Sequence, residues 1–198
     1  MKKLFTFVVL CIASIAFAQP KFAPGFRGGV NFSKISDTDL DFKTDFYVAG
    51  FAGVKFTNVY TLQPELGYSR QGTKGDYEFY NGFEDETASI DISLSYLSLT
   101  IMNKFTFADR VSVMIGPHLD FLLDNSDNVR IANDADVGIT AGVGCLLVDG
   151  LGIEFRVKKG FVSTIDNDVF TDNTGFFEVD QASNLALQLG LTYTFDVK

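Results

Sequence analysis

The sequence predicts an all-β protein, folded as an eight-stranded antiparallel up-and-down transmembrane β-barrel. Apolar residues alternate with polar or small residues in eight segments of about nine to twelve residues. The connections between these segments alternate between long and short, and aromatic residues of the apolar face lie near segment ends. Both features are typical of barrels that cross a lipid bilayer.

The composition excludes two broad classes of protein. Of the 198 residues, 46% are hydrophobic, which is too many for an intrinsically disordered chain. The formal net charge of −9 argues against a nucleic-acid partner, because such proteins need a basic face for the phosphates. We therefore expect a folded protein with no nucleic-acid partner.

Residues 1–18 are predicted to be a signal peptide. A short basic start, Met1-Lys2-Lys3, precedes an apolar stretch of fourteen residues, and Ala16-Phe17-Ala18 has the small-x-small form of a cleavage site. The stretch is shorter than the roughly 20 residues of a membrane-spanning helix. Residues 19–198 then form the barrel domain, with Cys145 as its only cysteine and hence no internal disulfide.

The first four predicted strands, residues 26–33, 46–56, 60–71 and 93–105, each place apolar side chains on one face. These faces are formed, in chain order, by Phe26, Val30 and Phe32; by Phe46, Val48, Ala52, Val54 and Phe56; by Tyr60, Leu62, Leu66 and Tyr68; and by Leu97, Leu99, Ile101 and Phe105. Pro64 lies in the middle of the third strand, where it removes a backbone donor, and it predicts a local bulge.

The last four predicted strands, residues 111–121, 137–147, 151–158 and 185–195, follow the same pattern. Their apolar faces are formed by Val111, Val113, Ile115, Leu119 and Phe121; by Val137, Ile139, Ala141, Val143, Cys145 and Leu147; by Leu151, Ile153, Phe155 and Val157; and by Leu185, Leu187, Leu189, Leu191, Tyr193 and Phe195. A soluble β-barrel would alternate in the same way with its apolar face inward, so the alternation alone does not separate the two classes.

The polar face favours the membrane barrel, because its charges are mixed with glycine and small hydroxyl residues, as suits a narrow interior. We predict a structural ion-pair network in the lumen, formed by Arg27, Lys55, Glu65, Lys104, Asp120, Glu154, Arg156 and Lys158. Cations outnumber anions in this set, so Glu65 and Glu154 should each contact more than one cation. Unpaired buried charge is costly, and the network would therefore close the lumen.

The connections predict the orientation of the barrel. Long connections fall at residues 34–45, 72–92, 123–136 and 162–183, and short ones at residues 57–59, 106–110 and 148–150. Short turns face the periplasm and long loops face outward in bacterial barrels, so both termini should be periplasmic.

The long connections hold 19 of the 25 acidic residues, against Lys34, Lys43, Lys74 and Arg130. Asp37, Asp39 and Asp41 have the odd spacing of a calcium loop but lack its glycine and its final glutamate, so they predict at most a weak divalent-cation loop. We expect no other metal and no cofactor. A hydrated acidic surface, bridged by divalent cations to lipopolysaccharide, is the simpler interpretation.

His118 is the only histidine, and it shares the interior face with Asp120. Folding the fourth and fifth strands about residues 106–110 should bring Ser98 or Tyr96 opposite His118, which makes a Ser-His-Asp set conceivable. Nothing in the sequence supplies an oxyanion hole, so we expect interior packing and no enzymatic activity.

Residues 62–72, LQPELGYSRQG, are similar to the L-Q-P-E-L-x-Y-S-x-Q-G motif of the PorT-like family of Gram-negative outer-membrane β-barrel proteins. Residues 25–33 resemble the family's opening strand, and residues 96–100 and 115–117 resemble its Y-L-x-I-P and G-P segments. The resemblance implies an outer-membrane barrel, with some members implicated in secretion, and it implies no catalytic residue.

These observations predict a structural or interaction role in the cell envelope, with outer-membrane lipid and lipopolysaccharide as partners. A further envelope or secretion protein would bind through residues 72–92 and 162–183. Those two segments combine acids with aromatic residues: Tyr77, Phe79, Tyr80, Phe83, Phe170, Phe176 and Phe177. The alternatives are a narrow channel and a barrel that binds a small ligand.

Overall fold

The computed structural model describes residues 21–36, 41–80, 85–125, 133–162 and 183–195, which form a closed antiparallel barrel of eight strands in chain order. The strands are β1 Lys21–Ile35, β2 Asp41–Lys55, β3 Tyr60–Tyr80, β4 Asp85–Phe107, β5 Val111–Asn125, β6 Ala135–Val148, β7 Leu151–Gly160 and β8 Asn184–Thr194. The predicted fold class is confirmed. The predicted signal peptide lies outside the described residues, and none of the described residues forms a helix long and apolar enough to cross a membrane.

The seam between β1 and β8 closes the barrel. Its register runs from Gly25↔Thr194 to Ile35↔Asn184. Two glycines, Gly29 and Gly190, face each other at the middle of the seam, and a Cβ on Gly29 would lie 2.1 Å from the backbone oxygen of Leu189. Closure depends on this close approach, and it removes the unpaired strand edges that lipid would penalise.

The two faces of the barrel have opposite chemistry. On β5, Val113 and Ile115 are 47% exposed on the outside, whereas Ser112, Met114 and His118 are buried inside. The same alternation continues around the barrel, with polar side chains forming most of the buried interior. A soluble protein would reverse this arrangement, so the outer face is suited to lipid.

Aromatic residues pair with one another at both ends of the apolar exterior. At the end that carries the short turns, the ring centroids of Tyr193 and Phe195 lie 5.3 Å apart and those of Tyr60 and Phe105 lie 5.4 Å apart. Toward the opposite end, Phe46 lies 5.7 Å from Tyr68. Such belts are typical of both interfaces of a bilayer.

The three short connections match the prediction, but the segment at residues 72–92 does not. It was expected to be a loop, whereas β3 and β4 continue through it in register from Gly72↔Ser93 to Tyr80↔Asp85. The alternation of apolar and polar residues that lipid imposes ends near residue 71. A hairpin in water needs no apolar face, so the sequence pattern did not reveal that the strands continue. Residues 34–45 and 123–136 are also shortened by strand residues, and residues 163–182 are not described.

The bulge expected at Pro64 is wrong. Pro64 lies opposite Ile101, inside a β3–β4 register that is unbroken from Tyr60↔Phe105 to Tyr80↔Asp85. The β2–β3 register is also the same on both sides of it, at Phe51↔Glu65 and Val54↔Leu62. The proline is exposed on the outer face, where its ring joins the apolar surface, and the irregularities of the sheet lie elsewhere.

We predict that the protein purifies as a monodisperse species only in detergent, because so much of its exterior is apolar. Unboiled samples should migrate faster than boiled samples on SDS gels, since a closed barrel keeps its backbone hydrogen bonds until heated. A monodisperse species in buffer without detergent would contradict the membrane barrel.

Candidate functional site

Five charged side chains meet in the middle of the barrel, each from an inward-facing strand position. Arg27 comes from β1, Glu65 from β3, Lys104 from β4, and Glu154 and Arg156 from β7. All but Lys104 are at most 5% exposed. Inward facing follows from the two-residue period of each strand, and the barrel register brings these positions to one level.

Glu65 receives hydrogen bonds from three side chains. Arg156 donates to both carboxylate oxygens, at 2.8 and 2.9 Å, in the bidentate arrangement that is strongest for this pair. Arg27 donates at 3.1 Å and Gln63 at 2.8 Å. These four bonds occupy the acceptor sites of an ionised carboxylate.

Glu154 lies at the other side of Arg156 and is shared in the same way. Arg156 donates to it at 2.7 and 3.1 Å, and Lys104 donates at 3.1 Å. Arg27 lies 3.8 Å away as an ion pair. Three cations therefore surround two anions, and each anion contacts more than one cation.

The carboxylates satisfy the Arg27 guanidinium only in part, and two neutral groups lie against it. Its guanidinium donates to Gln188 at 2.9 Å and lies 4.5 Å from the centre of the Tyr47 ring. A cation over an aromatic face in a desolvated site is stabilised by the ring quadrupole. The excess positive charge of the cluster is thus held by a ring and an amide.

A second polar cluster lies closer to the outer end. Lys158 donates to Asp120 at 2.7 Å and to Ser98 at 2.5 Å, while Ser98 itself donates to Asp120. Gln71 contacts the other oxygen of Asp120 at 3.3 Å. Asp120 thus pairs with one lysine and accepts hydrogen bonds from two neutral donors.

The prediction that Ser98 or Tyr96 lies opposite His118 is wrong. The residue opposite His118 is the next inward-facing residue of β4 toward the short turn. Thr100 lies opposite His118, and Ser98 lies opposite Asp120. The Nδ1 of His118 is 3.0 Å from the hydroxyl of Thr140, on the other neighbouring strand. Alternation specifies which face a residue occupies but not its height, so the turn geometry decided this pairing.

Lys55 does not join the network. It is exposed at the end of β2, and it forms no ion pair with any residue that the structure describes. It lines a cavity of about 530 Å³ that opens at the end carrying the short turns, together with Lys104 and Arg110. The alternation placed Lys55 on the correct face, but too close to the strand end to reach the cluster.

Asp136 was assigned to a loop, whereas it begins β6 and is buried at 2% exposure. It accepts hydrogen bonds from the backbone N–H groups of Phe161 and Val162, at 3.1 and 3.0 Å. Its acceptance of two backbone donors fastens the end of β7 to β6. Asp136 is two residues before Gly138 and four before Thr140, so the two-residue period of β6 could have identified it as an inward-facing strand residue.

The predicted network named only charged residues, and it left out neutral interior side chains that link the strands. Asn31 donates to Ser69 at 3.0 Å and accepts from Gln188 at 2.9 Å, which links β1 to β3 and β8. Asn184 donates to the hydroxyl of Tyr96 at 2.8 Å. All five lie on the polar phase of their strands.

The expected divalent-cation loop falls mostly outside the described residues. Asp37 and Asp39 are not described, and Asp41 begins β2 with an exposed side chain. Within the described part of the chain, no group of three or more His, Cys, Asp or Glu side chains could hold a metal ion.

The interior is nearly filled at the level of the charged cluster. The space between Arg27, Tyr47, Glu65, Arg156 and Lys158 amounts to about 20 Å³, which is room for about one water molecule. Met102 and Met114, also fully buried, fill further space on β4 and β5. The arrangement can hold strands together, but it offers no continuous aqueous path through these side chains.

We predict that Glu65→Ala and Glu154→Ala each lower the free energy of unfolding by about 3–5 kcal/mol, because each strands buried cations. Asp124→Ala is the matched control, since Asp124 is an exposed carboxylate on β5 and its removal should cost less than about 1 kcal/mol. Urea unfolding in lipid vesicles measures all three. Equal midpoints for the three variants and the unaltered protein would show that the lumen is hydrated.

The cluster also predicts non-additivity. Arg156→Met alone should lower the free energy of unfolding by an amount similar to Glu65→Ala. The double variant should lower it by less than the sum of the two single effects, because the second change removes a charge that the first one left without its partner. A double-mutant cycle by urea unfolding measures the coupling. Additive effects would mean that the two side chains do not interact in lipid.

Comparisons with known proteins agree with the barrel fold. The family described as outer membrane protein β-barrel domain matches residues 17–166. No curated protein matches the sequence. Similar solved structures include Ail of Yersinia pestis with a heparin analogue (15% identity, covering 88% of this chain and 99% of that one, TM-score 0.50), Neisserial surface protein A (14%, 88% and 96%, 0.48), and OprG of Pseudomonas aeruginosa (10%, 90% and 98%, 0.49).

At these identities the structural likeness shows the fold alone, and the family match covers most of the chain. The predicted outer-membrane location is confirmed by that match. The chain belongs to the outer membrane protein β-barrel domain family and is an outer-membrane protein.

Proposed function

We propose that this outer-membrane barrel does not conduct ions and binds another envelope or secretion protein through the β3–β4 hairpin, as an accessory to secretion or assembly. The observation that carries the proposal is the length of this hairpin. Tilted strands cross a bilayer with about 9–11 residues. β3 has 21 residues and β4 has 23.

The excess length forms a paired extension rather than a loose loop. Six residue pairs, from Gly75↔Ile90 to Tyr80↔Asp85, continue the ladder beyond Asp41↔Lys74, the outermost pair of β2 with β3. At about 3.3 Å per residue, this extension is roughly 20 Å long. It stands on the side opposite the short turns, which is the outer side in bacterial barrels.

The composition of the hairpin indicates the chemistry of its partner. Residues 72–92 contain six acids and one lysine, Lys74, together with Tyr77, Phe79, Tyr80 and Phe83. Aromatic residues are enriched in protein interfaces, and acids favour a partner with a basic surface. Ail was solved with a heparin analogue, which is polyanionic, whereas the charge of this hairpin would repel such a ligand.

The resemblance to the PorT-like family supports a place in secretion, and the structure explains why its motif is polar at every second position. Gln63, Glu65, Ser69 and Gln71 of residues 62–72 are all buried in the lumen, with hydrogen bonds to neighbouring interior groups. The motif is therefore a packing and ion-pairing signature. The interior contacts also support the absence of an enzymatic role, since His118 and Ser98 are engaged by Thr140 and Asp120.

We predict that replacing residues 76–89 with a two-residue turn leaves a heat-modifiable barrel and abolishes capture of the partner, because the barrel contacts lie below this segment. Crosslinking in intact cells followed by mass spectrometry measures capture. A Lys55→Gln variant, altered at the opposite end, should capture the same protein as the unaltered chain. Equal capture by the shortened variant would contradict the proposal.

We predict no steady conductance in planar bilayers for the unaltered protein, because the cluster around Arg156 fills the lumen. Glu65→Ala should introduce conductance by freeing Arg27 and Arg156 from their shared anion. Steady ohmic conductance of the unaltered protein would instead favour the narrow channel.

One observation favours a second candidate function, the binding of a small ligand from the periplasm. The cavity of about 530 Å³ is within the usual range of ligand sites. Its lining carries both signs of charge: Lys55, Lys104, Arg110, Asp109, Asp149 and Glu154. Equilibrium dialysis of the detergent-solubilised protein against a zwitterionic amino acid such as alanine tests this function, because the lining carries both signs of charge. Retention that Lys55→Glu removes would support it, and no retention would dismiss it.

A further inference from the structure

Two lysines flank strand β8 on the lipid-facing surface near the outer end of the barrel. Lys34 of β1 and Lys159 of β7 are both register partners of Leu185 on the intervening strand β8. Strand spacing places their Cα atoms roughly 10 Å apart. Two residues nearer the periplasm, the same outward positions are Phe32 and Val157, which are exposed and apolar. The lysines therefore mark the outer boundary of the apolar band.

The side chain of Lys159 reaches across β8 toward the lysine on β1. Its Nζ donates to the hydroxyl of Ser36 at 2.5 Å and to that of Ser183 at 2.8 Å. Ser36 follows Lys34 by two residues, so it lies on the same side of the chain. The Nζ of Lys34 lies 5.4 Å from the centre of the Phe42 ring. The Lys159 ammonium is thus held at the outer end of the β1–β8 seam, and the Lys34 ammonium lies on the β2 side of β1 at the same end of the barrel.

Neither lysine has a carboxylate partner among the residues that the structure describes, within 4.0 Å. Other cations near this end do have one: Lys43 pairs with Asp91, and Arg70 lies 3.3 Å from Asp45. Two such lysines on a chain of net charge −9 form a local site for an anion.

We propose that Lys34 and Lys159 together bind the phosphate groups of a lipid headgroup in the outer leaflet. The two ammonium groups supply charge, and the Ser36 hydroxyl, which accepts from Lys159, can donate its own proton to a phosphate oxygen. The acyl chains would then lie along the apolar surface below, formed by Phe32, Val157 and Leu187. This site needs only the outer-membrane location and is independent of the partner proposed for the hairpin.

The test is binding of phosphorylated lipid A to the detergent-solubilised protein, followed by native mass spectrometry, with dephosphorylated lipid A as the comparison lipid. The unaltered protein should prefer the phosphorylated form. Lys34→Gln/Lys159→Gln should weaken its binding roughly 30-fold, since each basic residue at an anionic lipid surface contributes about a fivefold gain.

The chain offers a matched control in a second pair of lysines. Lys21 and Lys55 are register partners at the periplasmic end, both exposed. Lys21→Gln/Lys55→Gln should bind phosphorylated lipid A like the unaltered protein, and both double variants should remain heat-modifiable on gels. Unchanged binding by Lys34→Gln/Lys159→Gln, or an equal loss in the control pair, would overturn the proposal.

A third arm separates the lipid from the free anion. Inorganic phosphate at millimolar concentration should neither compete with lipid A nor raise the unfolding temperature of the unaltered protein. Competition by inorganic phosphate would identify a site for small anions and would also overturn the proposal. None of these results depends on hairpin capture, so this proposal and the hairpin proposal can fail separately.

Discussion

The barrel depends on the sharing of two carboxylates among three cations at a level where the interior has room for about one water molecule. Glu65 and Glu154 face Arg27, Lys104 and Arg156, and Arg156 contacts both acids. Removing either acid leaves three cations to share one carboxylate at low dielectric, where uncompensated charge costs several kcal/mol. The strands that supply them, β1, β3, β4 and β7, lie around the barrel wall, so the cluster holds opposite sides of the wall together.

A lumen filled in this way leaves only the two ends and the outer rim of the barrel with room for a binding partner. Toward the outside, the ladder of β3 and β4 continues past the level at which the other strands stop. Toward the short turns, the interior widens into a cavity reached from the periplasm. The filled middle separates these two regions, and each can carry a binding role without opening a path between them.

The sequence predicted the strand faces well, because lipid on one side and a narrow lumen on the other impose a two-residue period along each strand. Phe32, Val113 and Leu191 point outward and Arg27, Glu65 and Arg156 point inward, as the alternation requires. What it does not specify is height along the axis. The heights of Lys55 and of His118 relative to Thr100 depend on strand tilt and turn geometry, and the hairpin beyond residue 71 is outside the lipid that makes the pattern informative.

The charged cluster and the closure of the barrel both depend on Gly190. Arg27 is held partly by the ring of Tyr47, and the hydroxyl of that tyrosine would lie 2.2 Å from a Cβ on Gly190. Any side chain at Gly190 would therefore displace the ring from the guanidinium while also pushing β8 away from Gly28 on β1. The seam can close only with glycine there, and the same glycine leaves room for the ring that stabilises the cation in excess. Backbone pairing and charge neutralisation thus impose the same residue at the same position.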